Sequence, residues 1–318
     1  MSRRVFYFKA LFASLLVLVF LPSCNRGAPS PVVSTSATSP STTSSPLPVA
    51  SSGAPQSSPT PFEPSPTPSA LAVRITGNGG STHITLEEYQ SELARYQAAH
   101  GDQASDQDRQ IVLTDLTDEA LLAQGAAAQG YVLDAGEVQA RIDQLAKERG
   151  GQQALLDWMA ANGYDEQSFR HSLEISMAAA WMRDQITSAV PEAAEQIHAR
   201  QILLYNADQA NEVLAQLQAG GDFAKLAANY DPVTEGELGW FPRGYLTDVN
   251  IENAAFKLEP GQYSQVIEDS TGFHIIQVIE RDPQRPLSPQ ARQTLQVKAL
   301  QDWLNTQRSQ SNIQILLP

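Results

Sequence analysis

The sequence predicts an α+β chain: a helical lobe, closed by a C-terminal helix, holding an inserted domain with a small antiparallel sheet surrounded by helices. Three observations lead there. From Thr85 to about Pro191 the apolar residues recur at spacings of three and four, with capping residues at the helix starts. Between residues 195 and 282 the texture changes to short β-like runs and short helices separated by Gly and Pro turns. After residue 287 a capped helix returns and ends in an apolar run, Asn312 to Leu317, suited to pair with Leu71–Ile75. That pairing would bring both ends of residues 71–318 together on the lobe and make residues 195–282 an insertion.

The lobe opens with the strand candidate Leu71–Ile75 and a turn at Gly77, Gly79 and Gly80. Thr85 and Glu88 form a Thr-x-x-Glu capping box, followed by Leu86, Tyr89, Leu93 and Tyr96 on one helical face. A second helix carries Leu113, Leu116, Ala120, Ala123 and Ala127 and ends near Gly130. Asp134 with Glu137 caps a third, through Val138, Ile142 and Leu145, closed by Gly150-Gly151. A short helix holds Leu155, Leu156 and Met159, and Asp165 opens a long one through Phe169, Leu173, Met177 and Trp181. No catalytic constellation stands out in this stretch. In the C-terminal segment, Ser288-Pro289 is a helix start with Ser as cap and Pro in the first turn. Leu295, Val297, Ala299, Leu300 and Leu304 supply its apolar residues.

The first seventy residues differ from all of this. Arg3, Arg4 and Lys9 precede an apolar run, Ala10 to Leu21, the n-region and h-region of a secretory signal. The run is short for a membrane helix, which needs roughly 20 residues. It ends in Leu21-Pro22-Ser23-Cys24, which resembles a bacterial lipobox and implies lipidation at Cys24, although Pro22 is a less usual choice. Residues 28–70 contain 11 Pro, 13 Ser and 6 Thr, with Glu63 the only charge. They cannot bury enough apolar surface to offset ordering entropy, so they read as a disordered tether. Its polyproline limit would be on the order of 130 Å. The expected divisions are signal peptide 1–23, tether 24–70, helical lobe 71–194, inserted domain 195–282 and C-terminal closure 283–318.

Charge and composition exclude several classes. The net charge is −14, and without residues 1–23 it becomes −17, a poor match for nucleic-acid phosphates. One cysteine excludes an internal disulfide and a Cys-based zinc site, and the five histidines lack metal-ligand spacing.

Residues 195–282 carry the most specific signal. His198–Tyr205 is strand-like, Asp208–Ala219 is helical, and Asp222 caps a helix through Phe223, Leu226 and Ala227. A loop, Asp231 to Gly236, precedes Leu238-Gly239-Trp240-Phe241-Pro242-Arg243-Gly244. A short helix from Ile251 to Phe256, a Pro260-Gly261 turn, and strands Tyr263–Ile267 and Phe273–Ile279 complete it. The ordered segments His198–Leu204, Asp222–Ala227, Gly236–Phe241, Ala254–Leu258, Pro260-Gly261 and Gly272–Ile276 resemble a parvulin-type peptidyl-prolyl cis/trans isomerase across 197–281. The helical segments and the domain order resemble the chaperone lobe of secreted foldases such as PrsA and SurA.

The resemblance implies site residues one at a time. His274 matches a family histidine and Thr271 the Ser or Thr three residues before it. Asp231 matches the family's Cys or Asp in the loop after the second helix. Gln201 stands where a second histidine is usual; it can donate and accept hydrogen bonds but cannot titrate. His198, three residues earlier, should face the opposite side of the strand and cannot replace it. Phe241, Leu246 and Ile251 match the proline pocket, with Leu and Ile replacing the more usual Met and Phe. From the residues alone, His274 and the three apolar side chains also fit ordinary core positions, and Asp231 fits a turn-former before Pro232.

The implied chemistry needs no cofactor and no metal. Rotation about a peptide bond faces a barrier of about 18–20 kcal/mol, and X-Pro exchange takes about 10–100 s uncatalysed. An enzyme must bind the twisted amide better than either planar isomer, gripping the proline ring while polar groups meet the altered amide. The expected function is a lipid-anchored, extracytoplasmic prolyl isomerase of the bacterial cell envelope, acting on unfolded secreted polypeptides with X-Pro bonds. Its competitors are a non-catalytic holdase with a decayed parvulin domain and a purely structural envelope protein.

Overall fold

The computed structural model describes residues 70–77, 80–101 and 104–317. The expected signal peptide, Cys24, nearly all of the tether and Gly79 of the first turn lie outside them. The residues from Ala70 onward form one compact unit. No helix among the described residues is long and apolar enough to cross a membrane.

The chain ends of this unit meet as expected. Strand β1 (Leu71–Gly77) pairs antiparallel with β2 (Gly80–Thr85) on one side and with β7 (Asn312–Ile315) on the other. Val73 lies opposite Ile315 and Ile75 opposite Ile313. Ala72, Val73 and Ile75 are fully buried, so the short apolar run is the buried centre of its sheet.

Five helices follow: α1 (Leu86–His100), α2 (Asp106–Ala128), α3 (Ala135–Arg149), α4 (Gln152–Ala161) and α5 (Glu166–Ser188). Thr85 with Glu88 and Asp134 with Glu137 form the expected capping boxes. Ser105 with Asp108 forms a further one that opens α2. Helix α9 (Pro289–Gln310), capped by Ser288 with Pro in its first turn, packs on α5 and α2. Its contact with α2 explains a mid-helix glycine. A Cβ on Gly125 would stand 2.6 Å from Trp303 Cζ2, so glycine lets the indole lie against the backbone. The buried side of α9 is Ala291 and Leu304, whereas Val297, expected on the apolar face, is 50% exposed.

The second sheet has the order β4-β3-β6-β5, antiparallel throughout. Its strands are β3 (Ala193–Leu204), β4 (Glu237–Pro242), β5 (Ile267–Asp269) and β6 (Gly272–Pro286). Helices α6 (Ala207–Gln218) and α7 (Phe223–Tyr230) cover one face, packing Ala210, Val213, Leu217 and Phe223 on Ile202, Leu204 and Ile275. Helix α8 (Val249–Ala255) covers the other, where Ile251 and Ala255 join Ile197, Phe241, Phe256 and Ile276.

Two expectations need correction. Tyr263–Ile267 is not a continuous strand: Tyr263 makes an isolated bridge to Gln277 and the paired segment starts at Ile267. Strand β6 also runs well beyond Ile279. Pro283 argues against a strand there, but it falls where the register slips between Ala194 and Gln196, a bulge that needs no ladder donor. The extension makes the insertion visible. Ala193 lies opposite Pro286, and the Leu287 amide donates to the Glu192 carbonyl at 2.8 Å, so entry and exit run side by side.

Candidate active site

Strands β3 and β6 frame the site. Leu203 lies opposite His274 and Gln201 opposite Ile276, which puts Gln201 and His274 diagonally on one face of the sheet. Gln201 is held by its backbone. Its amide donates to the Gly236 carbonyl at 2.7 Å, and a Cβ on Gly236 would stand 1.9 Å from the Gln201 carbonyl oxygen. Gly236 also has φ 71°, so glycine is required twice over where the Asp231–Gly236 loop closes on the site strand.

The His274 ring is buried and bonded on both sides. Nδ1 is 2.9 Å from Gln201 Oε1, and Nε2 is 3.0 Å from Asp269 Oδ1 and 3.1 Å from Thr271 Oγ1. Thr271 Oγ1 in turn donates to Asp269 Oδ1 at 2.7 Å. The Thr271 and Gly272 amides reach the same oxygen at 2.7 and 3.0 Å. The Thr271 hydroxyl is the main cause that holds the Asp269 carboxyl down at about 2. Burial opposes it, and the Thr271 amide, His274 and the Gly272 amide reinforce it. Three of the four expected polar residues, Gln201, Thr271 and His274, are thus in one network, and the missing fourth member is Asp269. In sequence it sits in Asp269-Ser270-Thr271-Gly272, which reads as an ordinary turn.

Asp231 is placed differently. It ends α7, and its Oδ1 accepts from the Val233 and Thr234 amides at 3.1 and 3.0 Å, while Oδ2 accepts from the Thr234 hydroxyl. The Thr234 hydroxyl and then its amide lower the Asp231 carboxyl. These bonds shape its own loop, and none of them reaches His274. His198 behaves as expected: it stacks on Trp240 with centroids 5.4 Å apart and meets Glu237 and Glu280, away from His274.

The apolar residues gather on the same face as His274. Phe241 is fully buried, edge-on to Phe256 with centroids 6.0 Å apart, so it backs the cluster. Ile251 is 7% exposed, and the half-buried Leu246 packs against both through the cluster. The Leu246 loop is held by a residue the sequence did not flag. Buried Glu252 accepts from the Gly244, Tyr245 and Leu246 amides at 2.8, 3.0 and 3.1 Å. A polar network anchored on a histidine beside an apolar face suits the binding and turning of an X-Pro amide, and among the described residues no cluster is placed to hold a metal ion.

Comparison with known proteins identifies this region. The family model of the PPIC-type PPIase (rotamase) domain matches residues 186–280. The chain carries a parvulin-type prolyl isomerase domain. Beyond the isomerase domain, the chain is similar to the foldase protein PrsA of Geobacillus sp. strain WCH70, 27% identical over 248 residues, 74% of this chain and 82% of that protein. It is also similar to the chaperone SurA of Burkholderia lata, 38% identical over 149 residues, 40% of this chain and 32% of that one. Among solved structures, the crystal structure of the peptidylprolyl isomerase PrsA from Bacillus cereus matches with a TM-score of 0.43 and 22% identity, covering 74% of this chain and 86% of that chain. The isomerase domain makes this chain a peptidyl-prolyl cis/trans isomerase, and the relatives it resembles over a wider stretch are named as foldases and a chaperone.

Proposed function

We propose that the protein is a membrane-anchored foldase of the bacterial envelope that isomerises X-Pro bonds in unfolded secreted polypeptides. The observation that carries the reading is the His274 ring, bonded on both sides and lying on the same sheet face as the apolar cluster, within a PPIC-type domain. In this reading Gln201, Thr271 and His274 meet the twisted amide, with Asp231 at the rim. Phe241, Leu246 and Ile251 form the apolar seat of the proline ring. The lobe of residues 71–194 and 283–318 holds the client, residues 24–70 tether it, and lipid on Cys24 anchors the whole after removal of 1–23.

A protease-coupled isomerisation assay of the full chain on an X-Pro peptide tests the catalytic part. His274→Ala is expected to lower kcat/KM by on the order of tenfold or more, and Asp231→Ala to lower it less. The second reading, a non-catalytic holdase, is favoured by Gln201, which cannot titrate. It predicts no isomerase activity with full suppression of client aggregation. Anchoring is tested separately: Cys24→Ala should abolish acyl labelling and release the protein from the membrane fraction.

A further inference from the structure

We infer that Asp269 is a positioning residue of the isomerase site: it holds the imidazole proton of His274 on Nε2, leaving Nδ1, which faces Gln201, as the bare nitrogen of the neutral ring. The proton's position rests on geometry alone, and the catalytic consequence rests on the isomerase reading of this site.

The argument is one of donors and acceptors. Two oxygens lie within hydrogen-bond reach of Nε2, those of Asp269 and Thr271. Asp269 is a carboxylate and can only accept. Thr271 has a single hydroxyl hydrogen, and that hydrogen goes to Asp269 Oδ1 at 2.7 Å, so toward Nε2 it offers a lone pair. A bare Nε2 would therefore set its own lone pair against two others, in a place where the His274 and Asp269 side chains are only 6% and 9% exposed. Nε2 must carry hydrogen. On the far side of the ring stands an amide, which has both a donor and an acceptor. By turning over, Gln201 serves Nδ1 whether that nitrogen is protonated or bare, and its orientation follows the proton rather than fixing it. Asp269 is the only described carboxylate that ion-pairs with His274. The departure at Gln201 and the carboxylate at Asp269 thus act together: the site keeps one imidazole, one fixed proton and one free nitrogen.

The test uses the full-length protein labelled with ¹⁵N-histidine, with His274 assigned by the loss of its signals in His274→Gln. Long-range ¹H–¹⁵N spectra across a pH titration report which nitrogen is protonated in the neutral ring. In the wild type that proton is expected on Nε2. Asp269→Ala frees the Thr271 hydroxyl to donate to Nε2, so the proton should move to Nδ1, where Gln201 accepts it. Its kcat should fall on the order of tenfold with KM unchanged. Asp269→Asn keeps an acceptor oxygen for the turn and for Nε2, and should retain the wild-type tautomer and most of kcat. A purely structural role for Asp269 would not move the tautomer. A wild-type neutral ring protonated on Nδ1 overturns the inference, whether or not the alanine variant folds. So does an alanine variant that keeps the Nε2 proton, or that reverses the ring without lowering kcat. A wild type with no isomerase activity defeats the isomerase reading instead, and the spectra still decide where the proton sits.

Discussion

In the helical lobe, Asp115, Asp118 and Glu119 lie together along α2; in the isomerase domain, Asp231, Glu252 and Asp269 each sit beside a turn or loop. Two of the first three have side-chain partners. Arg308 of α9 meets Asp118, with Nε to Oδ1 at 2.8 Å, and the Ser176 hydroxyl meets Glu119. Burial raises all three carboxyls, Asp115 to about 7 with help from the charges of Asp118, Glu92 and Glu119. The second three accept from backbone amides, two or three each, and the Asp231 and Asp269 carboxyls are lowered. The difference teaches what sets a carboxylate's charge in a fold. A neighbouring threonine hydroxyl, reinforced by the amides of the same turn, holds Asp231 and Asp269 in the charged form, whereas burial among other acids, with at most one side-chain partner each, pushes Asp115, Asp118 and Glu119 toward protonation.

Breaking the amide side of this comparison should have the largest effect. Glu252→Ala leaves three inward-facing amides without their acceptor, and should cost about 3 kcal/mol, read as a lower denaturant midpoint of the isomerase domain. Because those amides hold the Leu246 loop, KM for an X-Pro peptide should rise as well. Breaking the lobe's one strong partner comes next. Arg308→Ala should cost about 2 kcal/mol at pH 8 and progressively less as pH falls, because Asp118, which burial already raises, can then protonate rather than stay charged without its partner. A cost that does not change with pH would refute the picture of a raised Asp118.

A smaller effect sharpens the lobe's pH dependence. Asp115 binds its proton more tightly folded, at about 7, than unfolded, at 3.8, so between those values the native state holds more protons and stability falls as pH rises. Asp115→Asn should stabilise the lobe at pH 8 by about 1 kcal/mol once solvent screening is allowed for, read as a higher melting temperature, with a gain that shrinks as pH falls and vanishes below 3.8. Asp269 runs the other way. Its folded value of about 2 lies below 3.8, so its stabilisation is complete above 3.8 and is lost as pH falls toward 2. Asp269→Asn should flatten the acid side of the isomerase domain's stability profile, the smallest change of the four.

Much of this architecture was legible because it is written in local signals. The Thr85/Glu88 and Asp134/Glu137 boxes, the Ser288-Pro289 start and the two apolar runs that became β1 and β7 are all short-range patterns. Gln201, Thr271 and His274 were legible through the family pattern. What was missed depends on distance in space. Gly125 reads as a weakness in a helix until Trp303 of α9 lies against it. Glu252 reads as a solvent-facing acid until the Gly244–Leu246 backbone folds over it. Asp269 reads as turn chemistry because it is turn chemistry, and its second use appears only when β5 and β6 bring the imidazole to the same oxygen.

The strand pairing that joins Val73 to Ile315 also sets an order of events. A chain emerging from its N-terminus presents β1 long before residues 312–315 exist, whereas β3 and β6 are both complete by residue 286. The isomerase fold can therefore close while the lobe still lacks its third strand and its last helix. Until the final residues arrive, β1 has an open edge and α2 and α5 an uncovered flank. Deleting residues 312–315 should thus leave a finished isomerase domain attached to an unfinished, self-associating lobe, making β7 the clasp that closes the lobe.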